Sequence, residues 1–425
     1  MAIRNFLCFL ILCSGLQFAS GQSTDSIILI KADRLFDGYQ LHTGWGVWIQ
    51  GNKILAAGPL NNTQAPIPQK TIELKGKTLL PGLIEGHSHL LLHPYNETKW
   101  ADQVLNESEA ERVARAVMNA RATLMAGFTT VRDLGTEGAG YADVGLKKAI
   151  EEGIISGPRM LIATRAIVAS GSYGPRLGNE HHQLVRGAAE ADGLEGISRE
   201  ARTQIGNGAD LIKVYADYRW GSDKKSSPTF TLEELQQVVA VSTSAGRKVV
   251  AHASTPEGMK RAAQAGVSTI EHGDYATEET FDWMLKNQVA LCPTLSAAEA
   301  TATYDGWNKK NMPPTERIAA KMKSFQLALS KKVTICFGGD VGVFSHGDNA
   351  REMELMVEYG MPVIDVLRSA TSVNAKQFGL SSKIGKLEKG LIADIIAVDG
   401  NPLEQIKDIR NIVMVMKDGK FYVKP

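Results

Sequence analysis

This sequence of 425 residues has few cysteines and almost no net charge. It contains four cysteines, and its formal charge is +1. Cys8 and Cys13 lie near the amino terminus, whereas Cys292 and Cys336 lie in apolar stretches that predict buried strands. A fold held by several disulfides is therefore excluded. We interpret the later pair as buried free thiols, with a disulfide as the alternative. Without a basic or acidic excess, no nucleic-acid partner is expected, and small neutral or weakly charged substrates remain open.

The sequence after residue 21 also lacks long apolar runs. No segment there reaches the roughly 20 apolar residues of a membrane-spanning helix, so no membrane span is expected in the mature chain. The first residues differ, because Arg4 precedes an apolar stretch and the small residues Ala19 and Gly21 suit a cleavage site. This pattern predicts a signal peptide over residues 1–21 and a secreted or periplasmic protein.

The rest of the chain alternates between strand-like and helix-like segments, with β-rich stretches at both ends. Residues 22–78 and 381–425 contain short β-like runs separated by turns. Across residues 79–380, eight predicted strands alternate with helices, one of which begins at the capping box formed by Thr231 and Glu234. The pattern predicts an α/β protein consisting of a (β/α)8 TIM-type barrel and a small β-sandwich domain built from both chain ends.

The first predicted barrel strand leads directly into two histidines. An apolar run from Leu79 to Ile84 precedes His87 and His89. Residues two apart on a strand point to the same side, so both imidazoles would face the same space. Neutral imidazole is a good ligand for zinc-like divalent ions, which makes the pair half of a potential metal site. Two unrelated histidines at a strand end are the alternative.

Other polar residues occur near the carboxyl ends of later predicted strands, including the eighth, Val333 to Asp340. Those ends meet on one face of a barrel, so residues far apart in the sequence are expected to converge there. Together with the first two histidines they give six potential metal ligands: His87, His89, Lys213, His252, His272 and Asp340. Convergence of all six favours a metal centre more strongly than any single motif does.

Each of these residues also has a structural alternative. Lys213 lies in an apolar strand, where an unpaired ammonium is costly to bury, and it could pair with Asp133 or Asp210. The two later histidines could be a core residue and a turn residue. Asp340 follows two glycines and could cap the next helix.

With this set of potential ligands, the sequence resembles the amidohydrolase superfamily. The likeness rests on the stretch PGLIEGHSH from Pro81 to His89, the lysine after strand four, the histidines after strands five and six and the aspartate after strand eight. The stretch GKLEKGLIADIIAVD from Gly385 to Asp399 is similar to the imidazolonepropionase-like and Xaa-Pro dipeptidase-like branch.

The resemblance implies a centre of two divalent metal ions, with zinc expected. His87 and His89 would hold the first ion with Asp340, and His252 and His272 would hold the second. A carboxylated Lys213 and a hydroxide would bridge them. Imidazolonepropionase itself uses one metal and lacks the bridging lysine, so Lys213 argues against that specific reaction.

The implied activity is metal-dependent hydrolysis of a carbon–nitrogen bond. Two cations lower the pKa of a bound water, and one polarises the carbonyl. Asp340 is the predicted proton carrier, and Lys213 and His272 are the other predicted catalytic residues. The expected substrate is a dipeptide of Xaa-Pro type or an N-acyl amino acid. The alternatives are a cyclic amide or another non-peptide substrate, and a catalytically silent metal-binding protein.

Loops after the third, fourth and eighth strands are expected to bind the substrate. An arginine and a tyrosine at the mouth of the barrel would hold a carboxylate by charge-assisted hydrogen bonds. The candidates are Tyr173, Arg176, Tyr218, Arg219 and His346. The arginines could instead be surface or helix-capping charges. Relatives often carry a Gly-Gly-His-Gly stretch near the position of Tyr173, and its absence here weakens any transfer of their substrate preference. The sequence is compatible with a homo-oligomer.

Overall fold

A computed structural model describes residues 26–175, 186–223 and 225–424. The predicted signal peptide over residues 1–21 and the candidate residue Arg176 lie outside this part of the chain. A barrel of parallel strands and helices stands beside a sheet built from both chain ends, which confirms the predicted fold class. Within the described ranges, no helix combines the length and the apolar character needed to cross a bilayer.

The strands occur in three groups along the chain. In chain order they are β1 (Ile28–Phe36), β2 (Leu41–Thr43), β3 (Trp45–Gln50), β4 (Lys53–Pro59), β5 (Lys70–Pro81), β6 (Leu83–Ser88), β7 (Phe128–Asp133), β8 (Arg159–Ile162), β9 (Ile167–Val168), β10 (Ala189–Glu190), β11 (Leu211–Tyr215), β12 (Asp217–Tyr218), β13 (Ser227–Pro228), β14 (Lys248–Ala253), β15 (Thr269–His272), β16 (Ala290–Cys292), β17 (Ile395–Asp399), β18 (Ile412–Lys417) and β19 (Lys420–Val423).

The helices fill the connections between the barrel strands. They are α1 (Trp100–Asn106), α2 (Glu109–Met125), α3 (Ala142–Glu151), α4 (Gly193–Gly206), α5 (Leu232–Ser244), α6 (Pro256–Ala265), α7 (Glu278–Lys286), α8 (Leu295–Tyr304), α9 (Glu316–Ser330), α10 (Ala350–Glu358), α11 (Val363–Arg368) and α12 (Asn374–Gln377). A π-helical turn, Ser369–Val373, joins the last two, and a 3₁₀ helix spans Ile406–Arg410. The capping box predicted for Thr231 and Glu234 is present at the start of α5.

The two chain ends join through β5, which pairs in parallel with β1 and antiparallel with β17. The strand order is β19-β18-β17-β5-β1-β3-β4, with β2 beside β1. Apolar side chains from both ends, among them Ile30, Val47, Ile395 and Met414, form a core of their own. Each such burial stabilises the fold by about 1.5–3 kcal/mol. The sandwich therefore depends on residues more than 300 positions apart in the sequence.

The chain passes from the sandwich into the barrel at Gly82. The apolar run that we expected to form one strand is divided between two strands, because β5 ends at Pro81 and β6 begins at Leu83. The Gly82 N–H donates to the Asp394 carbonyl (2.8 Å), and the next N–H donates to the Gly127 carbonyl (3.0 Å). A Cβ at Gly82 would lie 2.2 Å from Thr129 Oγ1. Only glycine lets the backbone change partners this close to β7.

Neighbouring barrel strands pair in parallel in the orders β6-β7-β8 and β9-β11-β14-β15-β16. The predicted eighth strand, Val333 to Asp340, does not form as a regular strand. Its segment closes the barrel through isolated bridges, Leu291 to Ile335 on one side and Ser88 to Val341 on the other. Asp340 has a left-handed backbone with φ of +62°, which breaks the extended geometry of a ladder. Nearby, Cys292 and Cys336 are buried free thiols, which confirms their interpretation from the sequence.

Candidate metal centre and active site

The strand ends bring the predicted ligands to one end of the barrel. The ring centroid of His87 lies 5.4 Å from that of His89 and 5.1 Å from that of His272. The ring centroids of His272 and His252 are 4.4 Å apart. Asp340 Oδ1 lies 3.5 Å from His87 Nε2 and 3.3 Å from His89 Nε2. One potential ligand atom from each of His87, His272 and Asp340 lies within 4.8 Å of the others. This spacing is compatible with a shared metal ion.

Three of the four histidines are held in place through Nδ1. The bonds join His87 to Glu271 Oε2 (2.9 Å), His89 to the Gly135 carbonyl (2.9 Å) and His272 to Thr294 Oγ1 (2.8 Å). A carboxylate or a carbonyl accepts the Nδ1 proton, which leaves the lone pair on Nε2. This is the arrangement through which neighbouring residues orient metal-binding histidines. The donor set therefore fits divalent ions.

The fourth histidine, His252, is held in place by stacking against the ring of Tyr215. Its register partner on β11 is Tyr215, and the two rings stack with centroids 4.5 Å apart and an interplanar angle of 11°. His252 Nε2 lies 3.8 Å from Asp217 Oδ1. Burial lowers the pKa of His252 well below its ordinary value, so the imidazole is neutral, as a metal ligand must be.

Lys213 is buried in β11, and its Nζ has no hydrogen-bond partner in the part of the chain that the structure describes. The pairing with Asp210 that the sequence left open does not occur, because Asp210 binds Lys147 Nζ at 2.7 Å. Asp133 instead accepts the Leu90 N–H at 2.7 Å. Burial lowers the pKa of Lys213. A buried amine without a partner is costly, which calls for a further chemical explanation at this position.

The backbone is strained at two of the predicted ligands. His272 has a φ of +78° and Asp340 a φ of +62°, both in the left-handed region that non-glycine residues rarely adopt. Thr294, which holds the His272 ring, has a φ of +49°. Each such residue costs about 1–3 kcal/mol, and this kind of strain clusters at functional sites. In both ligands the strain turns a side chain towards the common centre.

Five of the six predicted ligands, all except Lys213, line a cavity of about 140 Å³ at the mouth of the barrel. The structure brings three of the predicted substrate-binding residues to its wall: Tyr173, Tyr218 and Arg219. It does not bring His346 there. The His346 Nε2 donates to the Leu92 carbonyl (3.1 Å), and its Nδ1 lies 3.5 Å from Thr123 Oγ1. That ring ties its own loop to the chain after β6.

Four residues that the sequence did not single out contribute to the site. Tyr95, Glu137 and Arg317 line the same cavity. Glu271 is fully buried, bonds His87, and is paired with Arg132 Nη2 at 2.8 Å. A charged residue inside an apolar strand is a signal that could have identified Glu271. The other three come from loops and a helix whose positions follow only from the fold.

Two larger pockets, one lined by charged groups and the other mainly by apolar groups, share lining residues with this cavity. One, of about 530 Å³, is lined by charged groups, with Arg219, Lys225 and Arg317 beside the acidic Asp274 and Glu316. The other, of about 830 Å³, is lined largely by aromatic and apolar side chains, including Trp100 and Trp307. Arg219 and Arg317 border both pockets and the central cavity. A substrate extending from the centre would therefore meet charged side chains in one pocket and mainly apolar surface in the other.

Comparison with known proteins agrees with this geometry. A profile of the amidohydrolase family matches residues 78–422. The chain belongs to the amidohydrolase family. It is similar to ochratoxinase of Aspergillus niger, with 30% identity over 395 residues that cover 85% of this chain and 80% of that protein. It is also similar to imidazolonepropionase of Sphingopyxis alaskensis, with 24% identity over 385 residues that cover 83% of this chain and 86% of that protein.

A solved structure supports the same relationship. A Xaa-Pro dipeptidase with methionine bound in its active site superimposes on this amidohydrolase with a TM-score of 0.82 and 32% identity. The match covers 94% of this chain and 100% of the dipeptidase chain. These findings confirm the superfamily and the branch that the sequence indicated. The family acts on carbon–nitrogen bonds and generally binds divalent metals, which fits the donor set described above.

Proposed function

We propose that this amidohydrolase uses two divalent metal ions to hydrolyse the amide bond of a small substrate with a free carboxylate. The substrate is a dipeptide of Xaa-Pro type or an N-acyl amino acid. The observation that carries the proposal is the buried Lys213 Nζ, which lacks a hydrogen-bond partner in the described chain and lies 5.4 Å from the centroid of the Tyr215 ring. Burial, followed by the positive charge of Lys213, lowers the pKa of His87 to about 4. The amine is therefore close enough to influence a predicted metal ligand.

Carboxylation of Lys213 accounts for this unpaired amine. The nitrogen lone pair forms a bond to the carbon of CO2, one carbon–oxygen π pair moves onto oxygen, and a proton leaves the nitrogen. The product is an anion with two oxygen atoms, each able to bind one metal ion. His87, His89 and Asp340 would hold the first ion, and His252 and His272 the second.

The imidazole and carboxylate donors suit zinc. When bound, the two ions lower the pKa of water and polarise the scissile carbonyl. Asp340 then accepts the proton of the attacking water and returns it to the leaving nitrogen, so that a carbon–oxygen bond forms and the carbon–nitrogen bond breaks.

The two unequal pockets support the proposed substrate class. A carboxylate beside the scissile bond matches Arg219 in the charged pocket, where Arg317 is paired with Asp274 at 2.7 Å. An apolar side chain or acyl group on the other side of the bond matches the aromatic pocket around Trp100 and Trp307. This chain is similar to a Xaa-Pro dipeptidase and to an ochratoxinase, and the name of the first supports a dipeptide substrate.

Metal analysis and a substrate screen test the proposal directly. We expect about two divalent ions per chain in protein produced with added zinc, together with hydrolysis of members of a panel of dipeptides and N-acyl amino acids. The same compounds with amidated carboxylates should be poor substrates. Protein that binds no metal, or that binds metal and hydrolyses none of the panel, would overturn the proposal.

Arg219 is predicted to anchor the substrate carboxylate. Arg219→Ala should lower kcat/KM by about 30- to 150-fold, the effect of losing a charge-assisted hydrogen bond of about 2–3 kcal/mol. An amidated substrate should lose much less, since it never used the guanidinium. Arg351→Ala is the control, because Arg351 pairs with Glu299 and Glu354 outside the cavity. Equal losses with both substrates would show that Arg219 is structural.

Glu271 is predicted to strengthen metal binding by orienting His87. Glu271→Gln keeps the size of the side chain but removes its charge, so metal affinity should fall by about 10- to 100-fold, as measured by competition with a chelator. Asp394→Asn is a matched control, because Asp394 is also a buried carboxylate, paired with Arg159 at 2.6 Å in the sandwich region. It should lower stability and leave metal affinity unchanged. Unchanged affinity in Glu271→Gln contradicts the prediction.

A further inference from the structure

Glu137 is a buried carboxylate in the wall of the substrate cavity. It follows β7, its backbone is in the left-handed region with φ of +50°, and the residue is 2% exposed. The carboxylate lines the same cavity as His89, Tyr173 and Tyr218. Glu137 Oε2 accepts hydrogen bonds from Trp100 Nε1 (2.9 Å) and Tyr173 OH (2.5 Å). The strained loop and these two bonds fix the carboxylate at the cavity surface.

The carboxylate itself forms no direct ion pair with a lysine or arginine in the described part of the chain, and the buried Arg112 guanidinium bonds the backbone carbonyl of Glu137 instead, at 2.6 Å. Both hydrogen-bond donors are neutral, and no lysine or arginine there pairs with the carboxylate within 4.0 Å. The nearest ionisable nitrogen is His89 Nδ1, at 4.0 Å, and its proton is already donated to the Gly135 carbonyl. Burying a carboxylate costs several kcal/mol unless a positive charge compensates for it. The position therefore suits a cation delivered from outside the protein.

Aromatic rings surround the same place. The Tyr173 ring has centroid distances of 5.1 Å to Trp100, 4.7 Å to Tyr215 and 4.9 Å to Tyr218. The faces of such rings attract ammonium groups, and several rings around one carboxylate form a typical cation-binding cage. This part of the cavity wall thus combines a fixed anion with aromatic faces.

We propose that Glu137 and its aromatic neighbours bind the free α-ammonium group of a dipeptide substrate. The inference rests on the proposed amide hydrolysis and narrows it, because N-acyl amino acids lack this group. Glu137 is then a specificity-determining residue. It selects substrates that carry an ammonium on one side of the scissile bond and a carboxylate on the other.

Leu-Pro and N-acetyl-Leu-Pro test this proposal, since they share the scissile bond and the carboxylate, but the acetyl group converts the ammonium into a neutral amide. The wild-type enzyme should have a higher kcat/KM for Leu-Pro. That preference should decline as the pH rises through about 8, where a free α-amino group loses its proton. In Glu137→Gln, kcat/KM for Leu-Pro should fall by about 30- to 150-fold and that for N-acetyl-Leu-Pro by less than threefold, with unchanged metal content.

Glu354→Gln is the control, because Glu354 is a largely buried carboxylate that pairs with Arg351 and Arg410 outside the cavity. Its ratio of the two substrates should match that of the wild type. A wild-type enzyme that prefers N-acetyl-Leu-Pro overturns the proposal even if Glu137→Gln fails to fold. Equal losses on both substrates, or loss of metal in Glu137→Gln, would show that the carboxylate serves the metal centre instead. A metal-loaded wild-type enzyme that hydrolyses neither compound nor any other panel member fails the proposed function itself.

Discussion

Lys213→Ala should lose at least about 1,000-fold in kcat/KM, together with most of its bound metal. The variant lacks the amine that carboxylation would convert into a bridging ligand. Without the proposed bridge, two ions would no longer act together, and the several kcal/mol that they would contribute to charge stabilisation in the transition state would be lost. Steady-state kinetics and elemental analysis of the same preparation measure both effects. Acetate or propionate should restore part of the activity by supplying the missing carboxylate.

Lys417→Ala separates this effect from simple loss of a buried lysine. Lys417 is 5% exposed, and its Nζ donates to the Gly157 carbonyl at 2.8 Å, away from the barrel cavity. Its replacement should lower the melting temperature while metal content and kcat remain close to those of the wild type. Full activity in Lys213→Ala would rule out the binuclear centre bridged by this residue.

Asp340→Asn should lose about 100- to 10,000-fold in kcat while retaining its metal, because the amide cannot accept the proton of the attacking water. The amide oxygen remains a ligand, so metal content should stay near two ions per chain. Asp340 Oδ1 lies within 3.5 Å of Nε2 of both His87 and His89, the position from which a carboxylate can serve metal and water together. The two variants thus differ, since Lys213→Ala loses both metal and turnover.

Two outcomes for Asp340→Asn would contradict this prediction. Turnover within tenfold of the wild type would remove Asp340 from proton transfer and leave it a ligand only. Loss of both ions would show that its negative charge holds the centre together, which elemental analysis before kinetics would reveal. Either outcome leaves the family assignment intact, because that assignment rests on the match across residues 78–422.

Local patterns were enough to predict much of the architecture. Strand and helix periods differ, so the alternation between them identifies a barrel, and the capping box at Thr231 marks a helix start that the structure contains. His87 and His89 share a side of the chain because strand side chains alternate. Their convergence with His252, His272 and Asp340 follows from the geometry of parallel barrels, in which all strand ends meet at one face.

Features that depend on contacts between distant segments were not predictable in this way. The break at Gly82 reflects the close approach of Thr129 on β7, and the irregular eighth segment reflects the backbone of Asp340. A histidine in a loop is equally compatible with a cavity and with a bond to a neighbouring carbonyl, and only the fold places His346 against Leu92.

The sequence by itself determined the fold class and the residue types of the candidate metal centre, because both are encoded in spacing along strands whose ends must converge. The tertiary structure alone decided the partners of those residues. Glu137 reaches the cavity from a strained loop, Arg317 from the start of α9, and Lys213 Nζ is bonded to neither Asp133 nor Asp210. Hydrogen bonds and ion pairs act over a few ångströms between segments that are up to hundreds of residues apart, so local sequence carries no record of which pairs will meet.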